Sequence, residues 1–345
     1  MRHASSAKIC RPRIFSGWNQ AGKLYLVSKN NITSHWGRIM SGNSFKVCVI
    51  GLGSMGMGAA RSCIAAGLQT YGVDLNAAAC QALKEAGAED AGASAAAFAG
   101  VLDAVLLLVV NAAQCRAVLF GPEGLASKLR PGTGVMISAT ISAADSRAIA
   151  SELTQTGLLM LDAPVSGGAA KAALGEMTVM AAGARAAFDR LRPVLDAVAG
   201  KVYEIGEEIG LGATVKIIHQ LLAGVHIAAG AEAMALAARA GIPLDTMYQV
   251  VTNAAGNSWM FENRMKHVVD GDYTPHSAVD IFVKDLRLVT ETALSLGFPL
   301  PLASTAYAMF ANASNAGFGR EDDAAVIKTF AGIDLPGVTK QQKPA

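Results

Sequence analysis

Residues 45 to 56 read Phe45-Lys46-Val47-Cys48-Val49-Ile50-Gly51-Leu52-Gly53-Ser54-Met55-Gly56. A short apolar run ends at Ile50, a G-x-G-x-x-G string follows at once, and Met57 to Gly67 continues as a small-residue helix. Alone the string is weak evidence, but a strand before it and a helix after it give it a mechanism. Gly51 permits the tight turn, Gly53 lets backbone approach a pyrophosphate, and Gly56 allows helix and strand to pack closely. Leu52, Ser54 and Met55 complete the loop, whose unpaired N–H groups and helix dipole face the phosphates. The stretch predicts a dinucleotide site on the first strand of an α/β sheet.

Working outward, further apolar runs occur at Thr70 to Val73, Ala104 to Val109, Gly134 to Ser138 and Leu158 to Asp162, separated by alanine-rich segments of helical length. Strands alternating with helices imply a parallel sheet covered on both faces, a doubly wound Rossmann arrangement. Met177 to Ala181 and Val202 to Ile205 would extend it. After about Gly206 the strand signals stop, and Ala213 to Ala240 reads as one long helix ended by Gly241-Ile242-Pro243. The expected plan is a basic leader (1–44), an NAD-binding Rossmann domain (45–208), an all-α domain for substrate and self-association joined through a long interdomain helix (209–332), and a tail (333–345).

Composition narrows the function. A net charge of +2 provides no field that would gather nucleic acid, so no nucleic-acid partner is expected. No run approaches the roughly 18 apolar residues of a membrane span, the longest strong candidate being Ala104 to Val110, and Lys216, His219, His226, Glu232 and Arg239 argue against the long helix as one. Five cysteines without a C-x-x-C pair read as reduced, buried thiols, and a cytoplasmic location is expected. Residues 1 to 44 carry seven Lys or Arg and no acid; they read as a transit peptide or as sequence upstream of a true start at Met40. The small residues Ala223, Gly224, Ala228, Ala229 and Gly230 would let another helix or another subunit approach closely, which favours a homodimer or homotetramer. No His, Cys and carboxylate set has metal-ligand spacing, so no metal is expected.

Several residues carry chemistry. Asp74 ends the second strand, where a carboxylate meets the ribose hydroxyls and repels a 2′-phosphate; with no arginine in Leu75 to Ala79, NAD is expected over NADP. Asn111 and Thr140 follow strand ends, where each either contacts the nicotinamide half or caps a helix. Asp162-Ala163-Pro164-Val165-Ser166-Gly167-Gly168-Ala169 offers a nest for a carboxylate, or a plain turn. Lys216 lies one turn into the long helix in an apolar stretch, with His219 and Gln220 on its own face. A buried lysine amine near a second cation, for which Lys284 is the candidate, is suited to accept a hydroxyl proton. His267 and His276 read as surface or interface residues.

These residues together resemble the β-hydroxyacid dehydrogenase family, which includes 3-hydroxyisobutyrate dehydrogenases, over about Phe45 to Ala331. The matching motifs are G-L-G-S-M-G, D-A-P-V-S-G-G-A followed by G-E-M-T (Gly175 to Thr178), G-L-G-A-T-V-K (Gly210 to Lys216) and F-V-K-D-L (Phe282 to Leu286). The resemblance implies Lys216 as catalytic acid/base, Ser166, Gly167 and Gly168 at the substrate carboxylate, Thr140 at the cofactor, and Lys284 with Asp285 beside the nicotinamide. The sequence departs from the family where two asparagines, or Asn-Gln, usually follow the lysine: here stand His219 and Gln220. With Gly256 to Arg264 and Gly271 to Pro275, that stretch looks like the L-threonate dehydrogenase branch, whose members oxidise the C2 hydroxyl of a four-carbon sugar acid. A polyhydroxylated acid needs more hydrogen-bond partners, and His219, Gln220, Ser258 and Asn263 are candidates. The alternatives are a 3-hydroxyisobutyrate dehydrogenase, a tartronate semialdehyde reductase, or a non-catalytic cofactor-binding module of chromatin type; retention of Lys216 argues against the last.

Overall fold

The computed structural model describes residues 26–27 and 45–338; the readings made for the rest of the leader and for residues 339–345 lie outside it. One ten-stranded sheet carries the N-terminal half. In chain order its strands are β1 (Leu26–Val27), β2 (Lys46–Ile50), β3 (Gln69–Val73), β4 (Asp90–Gly92), β5 (Ala104–Leu107), β6 (Gly134–Ile137), β7 (Leu159–Asp162), β8 (Val165–Ser166), β9 (Met177–Ala182) and β10 (Ala199–Gly206). Across the sheet they run β1-β10-β9-β7-β6-β5-β2-β3-β4, with β8 against β9.

From β4 to β7 every pairing is parallel. At β7 the direction reverses: β9 meets it antiparallel through Asp162 and Ala182, and β10 runs parallel to β9. All seven strands expected from the sequence are present. β1, β4 and β8, at two, three and two residues, are too short to show a period, and none of the three was expected.

The intervening helices are α1 (Ser54–Ala65), α2 (Ala77–Glu85), α3 (Ala112–Phe120), α4 (Ala143–Gln155), α5 (Gly168–Ala173) and α6 (Arg185–Val198). Side chains of β2 alternate between two cores. Val47 and Val49 pack with Ala59, Cys63 and Leu191 of α1 and α6, whereas Cys48 and Ile50 pack with Cys115, Leu119, Ile149 and Leu153 of α3 and α4. This two-faced burial makes the central strands continuously apolar rather than alternating. Cys48, Cys63, Cys80 and Cys115 are all buried free thiols, and burial pushes the Cys63 and Cys115 thiols up to about 12.

The C-terminal half is helical: α7 (Leu211–Arg239), α8 (Leu244–Thr252), α9 (Trp259–Asp270), α10 (Val279–Ser295) and α11 (Pro301–Ala313). Helix α7 has 29 residues, about 43 Å at the usual rise, and forms the spine against which α9, α10 and α11 pack around Phe282, Phe310 and Met265. Its small residues admit helices of the same chain. A Cβ on Gly224 would meet Leu286 of α10 at 2.8 Å, and one on Gly230 would meet Phe261 of α9 at 3.1 Å. Among the described residues α7 is also the one helix long and apolar enough to cross a membrane by length and composition, but half of its most apolar stretch is buried in this fold. It is a core helix.

Candidate active site

A cleft of about 320 Å³ opens at the carboxyl ends of β2, β5 and β6 and is faced by α7, α9 and α10. One wall is the glycine loop. Gly51 stands at φ +89°, with Leu108 O at 2.8 Å from where a Cβ would lie, and a Cβ on Gly56 would fall 1.7 Å from Gly51 O. Gly53 by contrast has nothing within 4 Å of its Cβ position, and no side chain caps the first turn of α1. Open space beside uncapped helix amides fits a pyrophosphate. Gly53, Ser54, Met55 and Gly56 border the cleft, whereas Gly51 and Leu52 lie beneath it, with the Leu52 side chain in the core.

Asp74 stands where expected, at the end of β3. Its carboxylate accepts the Leu52 amide at 2.6 Å and the Asn76 amide at 2.8 Å. Asn111 takes the capping alternative: its Oδ1 accepts the Gln114 amide at 2.9 Å, and the adjacent Val110 lines the cleft instead. Thr140 does line the cleft, and its carbonyl accepts from Lys284 Nζ at 2.9 Å.

The start of α7 is tied to the end of β7. Asp162, 1% exposed, accepts the Gly210 amide at 2.8 Å and the Ala213 amide at 3.0 Å, satisfying orphan N–H groups of the first turn. A Cβ on Gly212 would come within 2.4 Å of Asp162 O, so only glycine permits this approach. Burial raises the Asp162 carboxyl above its ordinary value, against the pull of those amides. The anchor sets the helix so that Lys216, His219 and Gln220, one and two turns in, all face the cleft.

Lys216 is 7% exposed. Burial drives its ammonium down to about 8, helped by Lys284 and opposed by Asp285. Lys284 pairs with Asp285 at 2.6 Å. From Asp285 a chain runs on: Gln220 Nε2 donates to Asp285 Oδ2 at 2.6 Å, Gln220 Oε1 lies 3.0 Å from His219 Nδ1, and His219 Nε2 lies 3.3 Å from Ser166 Oγ. Ser166, Gly167 and Gly168 line the opposite wall, both glycines at positive φ, +129° and +70°. The structure thus gathers residues of all four sequence motifs into one cleft, with both ends of the Gln220 amide already engaged.

Ser258 and Asn263 are not in that wall. Ser258 caps α9 by accepting the Phe261 amide at 3.0 Å, and Asn263 Oδ1 is held by Arg264. Trp259, Arg264 and His276 line the cleft instead. Arg264 falls on the buried face of α9 with Phe261, Met265 and Val268, and an arginine at that helical spacing is a signal the sequence does carry. His276 sits in a loop against His267, ring centroids 4.9 Å apart, with no periodicity to mark it.

Residues 46–206 match the NAD binding domain of 6-phosphogluconate dehydrogenase, and residues 210–330 match the NAD-binding region of NADP-dependent 3-hydroxyisobutyrate dehydrogenase. Together with the cleft between them, these place the protein among the two-domain hydroxyacid dehydrogenases. The L-threonate dehydrogenase of Escherichia coli O6:H1 is 72% identical over 297 residues, covering 86% of this chain and 98% of that one. That of Cupriavidus necator is 54% identical over 294 residues, covering 85% and 99%. A crystal structure described as 3-hydroxyisobutyrate dehydrogenase from Salmonella typhimurium aligns with a TM-score of 0.81 at 70% identity, over 83% of this chain and 100% of that one. The chain belongs to the 3-hydroxyisobutyrate dehydrogenase-like family.

Proposed function

We propose that this enzyme is an L-threonate dehydrogenase that oxidises the C2 hydroxyl of L-threonate, or of a close four-carbon aldonate, to 2-oxo-tetronate, with NAD preferred over NADP. The observation that carries the reading is the pairing on one face of α7 of a buried amine, Lys216, with a cleft-facing imidazole, His219, in a chain 72% identical to a curated L-threonate dehydrogenase.

In this mechanism Ser166 and the amides of Gly167 and Gly168 hold the substrate carboxylate, each hydrogen bond to the charged group contributing about 1.5–3 kcal/mol. Lys216, neutral once pH passes about 8, accepts the C2 hydroxyl proton as the carbonyl forms, and returns it in the reductive direction. Gly53–Gly56 and Thr140, which line the cleft, would hold a nicotinamide dinucleotide, which would supply the hydride acceptor. Lys284 steadies that wall through the Thr140 carbonyl and Asp285. Asp74 favours an unphosphorylated ribose.

Self-association belongs to the same reading. Ile218 and Leu222, one turn apart on α7, and Leu236 further along it are exposed apolar side chains, 58%, 52% and 69% accessible, and exposed apolar surface is what a second subunit would cover. Light scattering should return a dimer or tetramer.

The deciding experiment is a panel of L-threonate, its stereoisomers, 3-hydroxyisobutyrate and tartronate semialdehyde with NAD(H) and NADP(H), followed at the NADH absorbance. The highest kcat/KM should fall on L-threonate with NAD. Preference for 3-hydroxyisobutyrate, the activity attributed to the Salmonella typhimurium relative, would overturn the substrate assignment.

A further inference from the structure

The chain of contacts from Asp285 to Ser166 obeys a strict donor and acceptor logic. Asp285 is 2% exposed and ion-paired to Lys284 through Oδ1, and an ionised carboxylate only accepts. The Gln220 atom facing it must therefore be the amide nitrogen, as it is at 2.6 Å. That fixes the other end: the Gln220 carbonyl oxygen faces His219 Nδ1 at 3.0 Å, and because a carbonyl only accepts, Nδ1 must carry the hydrogen. Burial and the nearby Lys216 disfavour the charged imidazolium, so Nε2 is a bare acceptor. In the free enzyme the Ser166 hydroxyl, 3.3 Å away, fills it.

We propose that Gln220 and Asp285 are positioning residues that lock His219 in its neutral Nδ1–H tautomer, so that Nε2 becomes a hydrogen-bond acceptor for a substrate hydroxyl beyond the reacting carbon. The inference rests on the reading given above for substrate. A carboxylate bound in the Ser166-Gly167-Gly168 nest draws the Ser166 proton to itself. Nε2 is then left facing the cleft without a donor, and a second hydroxyl of a polyhydroxy acid refills it. An acid with a single hydroxyl leaves it empty, and an unpaired polar group in a binding site is a strong basis for rejection. Gln220 thus reaches the substrate through His219 rather than by touching it.

Two measurements test this. The first compares kcat/KM for L-threonate with its 3-deoxy and 4-deoxy analogues in the wild type, His219→Leu, His219→Gln and Gln220→Met. The wild type should reject at least one deoxy analogue by about 10²-fold or more. In His219→Leu and Gln220→Met that ratio should fall to within about fivefold, chiefly through KM for L-threonate, whereas His219→Gln, which keeps an acceptor oxygen, should restore part of it. A variant that is merely destabilised lowers all three substrates together, leaves the ratio alone and overturns the proposal. The second measurement reads imidazole ¹⁵N shifts of His219 in the substrate-free enzyme: Nδ1 protonated and Nε2 bare in the wild type, with the pattern lost in Gln220→Met. A wild-type Nε2–H tautomer sinks the inference whatever the substrate. If no aldonate is turned over, the functional reading fails instead, and the ¹⁵N result still decides the tautomer.

Discussion

The carboxylate of Asp74 accepts the backbone amide of Leu52 at 2.6 Å, which joins the end of the second core strand to the middle of the glycine loop. One residue therefore ties down the loop and, in the proposed function, also presents negative charge to the adenosine ribose. If the proposed preference for NAD over NADP rests on this carboxylate, Asp74→Ala should raise the NAD dissociation constant and narrow the ratio between the two dinucleotides. Titration of both dinucleotides by fluorescence checks it, and an unchanged ratio removes Asp74 from cofactor discrimination.

Gly56 has no room for a side chain, its Cβ position lying 1.7 Å from the Gly51 carbonyl oxygen. Gly56→Ala must push α1 away from β2 or deform the turn, and overpacking of this kind costs about 1–3 kcal/mol. The expected result is a lower unfolding midpoint together with much weaker dinucleotide binding. Gly53→Ala, where nothing lies within 4 Å, should spare the midpoint and weaken only the binding.

The contrast between these glycines shows what was legible in the sequence. Spacing brought Gly53, Gly56 and Lys216 to one cleft, because a strand, a loop and a helix repeat their geometry wherever they occur, whereas Gly51 lies beneath it and Asp74 lines a separate pocket at the end of β3. The long-range ties were not legible: Asp162 anchoring α7 and Asp323 pairing with Arg264 join segments 48 and 59 residues apart. The small-residue face of α7 was read correctly as a close-approach surface, but only the packing shows that Leu286 and Phe261 of the same chain occupy it. β4 is stabilised by its pairing with β3 rather than by its own sequence.

Arg264 and Asp323, 8% and 0% exposed, form an ion pair at 2.7 Å under the cleft. Above about pH 7, where Asp323 is ionised, Asp323→Ala leaves a buried guanidinium without its counter-charge, a loss of about 3–5 kcal/mol, whereas the double variant Arg264→Met/Asp323→Ala should recover part of it. Urea unfolding of both variants measures this. Burial also pushes the Asp323 carboxyl up to about 7, above its unfolded value. The folded state then holds the extra proton between the two values, so this group's contribution to stability falls as pH rises from about 4 to 7. Asp323→Asn should flatten that slope.

Burial brings Lys216 down to about 8, and the two directions of the reaction need opposite forms of the amine. Oxidation requires the neutral form, so its rate should climb as pH rises through about 8 and level off above; reduction requires the ammonium and should fall over the same interval. Lys216→Met removes the proton acceptor and should lower kcat by about 10²–10⁴-fold while dinucleotide titration is unchanged. Lys216→Arg separates chemistry from charge, because a guanidinium keeps the positive charge but cannot release a proton near neutrality. If Lys216→Arg retains substantial oxidation at pH 8, the residue acts by electrostatics alone. If both variants are inactive across the pH range and the wild type shows the opposed profiles, the amine itself moves the proton.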